Sequence, residues 1–503
     1  MKIINRSLIV ILLALSQCFV ACEDWLDVKP AGDVDLEEHL SDADGYFKTL
    51  TGVYMNMADE NLYGHQLMYG VIETAAQNNF DHSRGPYDDF NWEDPAAKNR
   101  MEAIWSGLYN AIANNNVILD NIDANKDLFH EDDYNLIKGE ALALRVFLHF
   151  DALRLFGEAY SDETASNIQI PYVLSFELAR YPHLSMDKVY EQLLLDLDEA
   201  EKLLMASDPV IGDYDGQLFN TNKRKYHLNY FAVLALKARV CITKGDTELA
   251  KEYAERVINE YTWTWVSESD LKDPDIADRD LLFSSELISC LNVQKLDDYY
   301  IENFNDIRAS YTPYNGRLNF AELIFEVYIP DWRWKNDYNP TQDKGGNDFR
   351  FQYLMKATGD TDGKLALSAK YDQGGSEFSK PYLPYKAVPL FRVSEMMLIA
   401  AEASLADGDQ KDIPKARTYI EDLWDNRGVM PEDLSGMDEQ LLLDIIVKEM
   451  RKETYLEGQA FYMFKRLGLT KIDPAINDDW LKDVDPASYV VPLPDSELEY
   501  GNR

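Results

Sequence analysis

The chain has 503 residues, 89 of them acidic and 49 basic, a formal charge of −40 at neutral pH, and a hydrophobic content of 46%. A field of that sign repels nucleic acid and anionic lipid headgroups and makes both poor partners. The acids are spread along the chain rather than gathered in a tail, and the length allows a large core without disulfide staples. The composition is that of a globular body with an acidic surface.

Lys2 and Arg6 precede a short apolar run, Leu8 to Leu15, and small residues lead to Ala21-Cys22. This is the layout of a secretory signal, too short for a stable membrane-spanning helix. Nothing later in the chain offers about 18 consecutive apolar residues. Phe19-Val20-Ala21-Cys22 resembles a bacterial lipobox, with Phe19 where Leu is usual. The expectation is a signal peptide over residues 1–21 and acylation of Cys22, rather than of Cys18, which still sits in apolar context. Acyl chains contribute about 0.8 kcal/mol per buried CH₂, so several of them hold a soluble domain on a membrane. Cys241 and Cys290 are then the remaining cysteines, too few for a disulfide-stapled domain. The apolar helical run around Cys241 predicts a buried free thiol.

Residues 23 to about 40 read as a tether, with Pro30 and Gly32 opposing early helix. Trp105, Leu108, Ile112, Val117 and Leu119 mark one amphipathic helix, and Leu136 to Phe156 a second. Ser185 is placed to N-cap a third, which carries Val189, Leu193, Leu197, Ala200 and Leu204. Tyr230 to Thr243, Lys244-Gly245-Asp246 and a helix with Ala250, Tyr253, Ala254 and Val257 make a helix-turn-helix unit. Ser394 to Leu405, Asp407-Gly408-Asp409 and a helix with Ala416, Tyr419 and Ile420 make another. Small residues at packed positions and a glycine turn suit tetratricopeptide-type pairs, and equally any alanine-rich hairpin. Residues 261–385 differ, being dense in Pro, Gly, Asp and aromatics. They read as a loop-rich insertion with short strands. A last long helix is predicted from about Met437 to Leu467.

Several blocks in order resemble the SusD/RagB family. Cys22-Glu23-Asp24-Trp25-Leu26-Asp27-Val28-Lys29-Pro30 is similar to its opening. Trp105 to Asn110 with Ala113 to Asn116 resembles its first helix. Lys138-Gly139-Glu140-Ala141-Leu142-Ala143-Leu144-Arg145, continuing to Arg154-Leu155-Phe156-Gly157, resembles its most recognisable block. Leu390 to Met396 with Ala400 to Ala403, Arg451-Lys452-Glu453 with Glu457-Gly458 and Phe464 to Gly468, and Val491 to Pro494 complete the series. Gln459 to Tyr462 departs from the pattern, and Met463 stands where the family often has Asp. The resemblance implies a mainly α single domain with tetratricopeptide-like helix pairs and a loop-rich insertion, divided as 22–260, 261–385 and 386–503. It also implies lipid anchoring at the outer-membrane surface and capture of oligosaccharides or, in some members, peptides, together with a SusC-like TonB-dependent transporter. The charged residues of these blocks, Glu140, Arg145, Arg392, Glu395, Glu449, Arg451, Glu453 and Glu457, are expected to form buried pairs or to cap backbone.

No catalytic constellation stands out. The seven histidines make no zinc spacing, no GxSxG elbow occurs, and Gly359 to Leu365 lacks the length and Ser/Thr of a P-loop. Asp360 to Gly363 imitates half a calcium loop without its closing Glu, so no metal and no cofactor are expected. A surface glycoside hydrolase, needing two carboxylates about 5 to 9.5 Å apart, is the competing reading. Sugar binding needs aromatic faces and short polar side chains. Where the family resemblance places its ligand loops, this chain has Asn79, Asp81, Asn91 and Trp92 before the first conserved helix. In the insertion it has Tyr314, Trp332, Trp334 and Tyr338.

Overall fold

The computed structural model describes residues 36–78, 86–274, 278–300, 347–357, 366–372, 384, 386–408, 411–472 and 482–501. Helices dominate. Asp42 opens α1 (Ala43–Met57), accepting from Gly45 N at 2.9 Å, and Asp94 with Pro95 at the first position opens α3 (Pro95–Asn121), after the short α2 (Val71–Ala75). Trp105, Leu108, Ile112 and Val117 face inward from α3. The axis of the fold is α4 (Glu131–Phe156), which is buried on all sides from Gly139 to Phe156. A strand pair follows, β1 (Ile168–Pro171) with β2 (His183–Ser185), leading into α5 (Met186–Ser207).

Ser185 occupies the N-cap position of α5 with extended backbone, but its hydroxyl makes no capping bond. The first amides of α5 are satisfied by backbone instead: Met186 N donates to Asn167 O and Asp187 N to Ala165 O, both at 2.9 Å. The boundary predicted at Ser185 holds while its mechanism differs.

Helices α6 (Tyr230–Lys244) and α7 (Thr247–Glu260) form a hairpin whose turn has Gly245 at φ +84°, and Asp246 caps α7 through Leu249 N. Across the insertion, α9 (Val393–Ala403) packs on α7, and α10 (Ile413–Arg427) folds back on α9. Successive packing of α3 on α4, α4 on α5, α5 on α6 and α6 on α7 makes one layered helical array, closed by α9 and α10. Small side chains at its contacts (Ala232, Ala235, Ala238, Ala250, Ala254, Ala400, Ala401, Ala416) are fully buried and let the helix axes approach. Cys241 and Cys290 are buried free thiols.

β3 (Leu287–Asn292) of the insertion pairs antiparallel with β6 (Ala387–Arg392) just beyond it, so chain segments about 100 residues apart are stitched side by side. Between them lie α8 (Phe349–Leu354) and the pair β4 (Met355–Ala357) with β5 (Ala366–Ser368). A small apolar cluster of Val266, Leu271, Leu281, Phe283, Leu354 and Ala369 packs apart from the main core.

The predicted helix from Met437 to Leu467 is two helices. α11 (Glu439–Glu453) ends at Thr454, and α12 (Ala460–Leu467) begins after a turn in which Leu456 and Gly458 take φ of +63° and +69°. A Cβ on Gly458 would meet the carbonyl oxygen of Leu67 at 2.0 Å, so only glycine allows this turn to approach the 67–68 backbone. A short pair, β7 (Lys471–Ile472) with β8 (Lys482–Asp483), follows α12.

Between Glu140 and Arg154 of α4 five ionisable side chains are buried, and each finds partners on other elements or along its own helix. Arg224, His227 and Tyr54 converge on Glu140. Arg145 forks onto Asp196 of α5 at 2.7 and 2.9 Å. Tyr63 OH donates to Asp151 at 2.8 Å, and Arg154 spans Asp151 and Gln459. His149 lies stacked on Tyr172, its Nδ1 donating to Arg145 O at 2.8 Å and its Nε2 accepting from Val173 N at 2.9 Å. That arrangement satisfies the neutral ring. Burial opposes its protonation, with Arg145 close by, and lowers the pKa from the usual histidine value to about 3.

Because this folded pKa lies below that of the unfolded chain, the stabilisation is complete above about pH 6.5 and is lost as pH falls toward 3. Urea midpoints measured from pH 7.5 down to 3.5 should therefore fall on acidification. In His149→Asn the slope over that window should be shallower by up to about one proton, worth roughly 3–5 kcal/mol across the whole range.

Candidate functional site

The first candidate loop begins where α2 ends. Glu73 is fully buried there, accepting from Asn78 Nδ2 at 2.7 Å and from Gly458 N at 3.0 Å. Burial pushes its carboxyl up to about 7, against the lowering effect of Asn78, the Gly458 and Leu456 amides and Lys370. Arg451 of α11 donates to Asn78 Oδ1 at 2.6 Å and to the carbonyls of Ala76 and Gln77 at 3.2 and 3.0 Å. Gln77, held at φ +60°, donates from Nε2 to Asp88 O at 2.8 Å. The two ends of the loop are thus tied to each other and to the α11–α12 turn.

Asn79 and Asp81 lie outside the described residues. Asn91 is exposed beside the start of α3. Trp92, expected as an open stacking face, is a core residue. It is 6% exposed, its indole N–H donates to Ser488 O at 2.7 Å, and its ring packs among Tyr87, Phe90 and Phe461. The ring closes over the C-terminal segment through Ser488. Among the first-loop candidates, then, the described residues leave Asn91 facing solvent.

Tyr314, Trp332, Trp334 and Tyr338 also lie outside the described residues, but both flanks of their segment are fixed. Asp348, just before α8, and Arg350, within it, sit in a buried ionic cluster with Glu449 and Glu453 of α11, Arg427 of α10 and Glu286 just before β3. Arg350 reaches Asp348 at 2.6 Å, Glu449 at 2.7 Å and Glu453 at 2.8 Å. Arg427 forks onto Glu453 at 2.7 and 2.9 Å and onto Glu286 at 2.9 and 2.5 Å. Burial works against the charge on Glu453, and the Arg427 and Arg350 guanidiniums outweigh it, holding the carboxyl well below the usual range. A neighbouring cluster joins Lys370 and Arg392 to Glu457. All the block residues predicted to pair or cap do so. Their partners come from far along the chain: Glu395 binds Arg239, Glu140 binds Arg224, and Arg145 binds Asp196.

A recess of about 570 Å³ opens between α10, α11, α12 and β7, with Glu449 and Arg451 also on its wall. Met430, Leu441, Leu443, Val447, Leu467 and Leu469 line it, with Glu432, Asp444 and Lys448 at polar positions. The signal for it in the sequence is the run Leu441 to Val447, apolar on more than one helix face. Among the described residues no group of His, Cys, Asp and Glu is placed to hold a metal, and no helix is long and apolar enough to cross a membrane.

Comparison with known proteins places this geometry. A SusD-like family described as starch-binding and associating with the outer membrane matches residues 24–215, and the SusD family itself matches residues 331–478. The chain belongs to the SusD/RagB family. A SusD-like protein of Formosa agariphila is 22% identical, with 92% of this chain and 91% of the relative aligned. Among solved structures, a SusD superfamily protein of Bacteroides thetaiotaomicron superposes with a TM-score of 0.68 at 22% identity, covering 92% of this chain and 98% of its own. A putative sugar-binding protein of Bacteroides vulgatus gives 0.65 at 22% identity, with 92% and 97% covered. A SusD-like carbohydrate-binding protein of the same species gives 0.61 at 20% identity, with 91% and 96% covered. SusD-like proteins are non-catalytic binding proteins that work at the outer membrane with TonB-dependent transporters, and this chain is a binding protein rather than an enzyme. In this SusD-like chain, the family blocks build the frame. Arg451 and Gly458 hold the base of one candidate loop, while Glu449 and Glu453 hold the flank of the other.

Two substitutions separate frame from site. Trp92→Ala should lower stability by about 3–5 kcal/mol, the usual cost of emptying a buried aromatic site, as read by chemical denaturation. Arg350→Met should cost about 3–5 kcal/mol by the same measurement, because it strands Asp348 and removes part of the pairing of Glu449, which keeps Lys452, and of Glu453, which keeps Arg427.

Proposed function

We propose that the protein is a lipid-anchored surface receptor that captures oligosaccharide and passes it to a SusC-like TonB-dependent transporter. Anchoring is through Cys22, after removal of residues 1–21. The observation that carries the reading is family membership along nearly the whole chain, joined to the density of aromatics in residues 261–385. Trp332 and Trp334 alternate around Arg333, so in an extended segment both indoles project to one side, a suitable platform for a pyranose face. Tyr314 and Tyr338 extend the aromatic surface, and Asn91, with Asn79 and Asp81, supplies short polar groups for hydroxyls. With the domain division at 260 and 385, the aromatic platform falls in the insertion, the polar groups in the loop before α3, and support in the two helical parts. Relatives described as carbohydrate-binding favour a glycan over a peptide.

Calorimetric titration of residues 23–503 against a panel of glycans and mixed peptides, with product analysis afterwards, tests this. Saturable binding to one glycan class without products is expected. Trp332→Ala and Trp334→Ala should each weaken it by about tenfold or more, taking as a guide the roughly 1–3 kcal/mol that stacking of a nucleobase on an aromatic face is worth. Unchanged affinity in both variants would move the site elsewhere, and binding of peptides alone would make the protein a peptide receptor of the same family.

A further inference from the structure

The turn between α11 and α12 is strained, and it is gripped from two sides. Leu456 is fully buried with φ at +63°, a left-handed conformation that a bulky side chain rarely adopts, and Gly458 follows at +69°. Such backbone persists only where its surroundings over-determine it. On its N–H side, the Gly458 amide donates to Glu73 Oε1 at 3.0 Å, and the Leu456 amide bonds the same carboxylate. On its C=O side, Lys370 Nζ donates to Tyr455 O at 2.5 Å, and Tyr371 OH to Leu456 O at 2.8 Å. Glu457, within the turn, is paired with Lys370 and Arg392, each at 2.6 Å.

The two grips belong to different loops. Glu73 also accepts from Asn78, at the base of the loop before α3, where Gln77 itself sits at φ +60°. Lys370 and Tyr371 are buried just after β5, on the flank of the insertion. One residue, Leu456, is thus held through its N–H by the first loop and through its C=O by the second. Arg451 and Glu453 also reach both loops, but from the regular helix α11, which stores no strain. The turn differs because losing either set of bonds lets Leu456 leave the left-handed region, and the other set then loses its geometry.

We infer that residues 455–458 couple the two ligand loops, so that an oligosaccharide steadying one loop steadies the other and reaches full affinity only by touching both. The inference rests on the binding site proposed above. A coupling of this kind is reciprocal by thermodynamic necessity, and that fixes its test.

Hydrogen–deuterium exchange on the full chain without ligand, read by mass spectrometry, measures it. Tyr371→Phe keeps the ring and its contact with Tyr69, and removes only the hydroxyl. It should speed exchange of residues 71–78, at the base of the other loop, by about fivefold or more. Glu73→Gln should speed exchange of residues 366–372 by a similar factor. In the double variant the second substitution should add little, because the turn is released once. Exchange in α5 and α7 should stay unchanged throughout, which separates release of the turn from loss of the fold. Where Glu73→Gln fails to fold, Tyr371→Phe alone decides. Acceleration confined to each substitution's own side, effects that multiply, or equal acceleration of every helix overturns the coupling. Because no ligand enters the measurement, its failure leaves the proposed glycan site standing, and a failed glycan titration leaves this result unaltered.

Discussion

Burying five ionisable side chains within four turns of one helix, from Glu140 to Arg154, constrains everything packed around it. On α4, Glu140, Arg145, His149, Asp151 and Arg154 all lie in the core. An unpaired buried charge is costly enough that each must meet a partner of fixed geometry. Those partners come from α1, the 224–227 turn, the chain around Tyr63, Tyr172–Val173, α5 and the α11–α12 turn. The apolar contacts of α4 would tolerate many helix arrangements. The polar contacts fit one, so α4 sets the register of the array rather than merely filling its centre. Lys465 extends the same logic to the end of the helix, donating to the carbonyls of Arg154 and Leu155 at 2.8 and 3.0 Å.

The C-terminal part repeats this device for a different purpose. Glu449, Arg451 and Glu453 lie on one stretch of α11, yet they serve two loops: Arg451 and the adjoining turn hold residues 76–78, and the two glutamates hold Asp348 and Arg350 through charge. Function and frame are thereby divided. The helical array supplies rigid attachment points, and the segments between them are free to carry ligand-specific side chains without disturbing the core. The break at Leu456–Gly458 belongs to this division. It lets α11 and α12 face different neighbours and brings an amide to Glu73.

How much of this was legible in the sequence follows from the range of the forces involved. Helical periodicity is local, so the pairs around Gly245 and Gly408, the inward face of α3 and the burial of Cys241 could be read directly. The family blocks, read together, pointed to the right family. Boundaries set by distant backbone were harder: Ser185 sits where a cap should, but Asn167 and Ala165 do its work. The division of Met437–Leu467 was missed because the residues of the turn, including Thr454 and Leu456, do not break a helix by themselves. The approach of the Leu67 carbonyl, far away in sequence, is what demands Gly458. Ion-pair partners were unreadable for the same reason, since Glu140 and Arg224 meet only in three dimensions. Trp92 shows the limit for site residues: an indole in a polar stretch looks exposed until the C-terminal segment is seen covering it. Tyr314, Trp332, Trp334 and Tyr338 of the insertion and the residues of the lipid anchor lie outside the described residues.

The central claim is that ligand contact belongs to the two loops and support to the helical array. Hydrogen–deuterium exchange on residues 23–503, with and without a saturating oligosaccharide that binds, addresses it most directly. The account predicts slower exchange confined to residues 79–91 and 314–338, with α4 and α11 already protected and unchanged. Protection concentrated instead around Met430, Leu441 and Leu469, in the recess of α10 to α12, would contradict it.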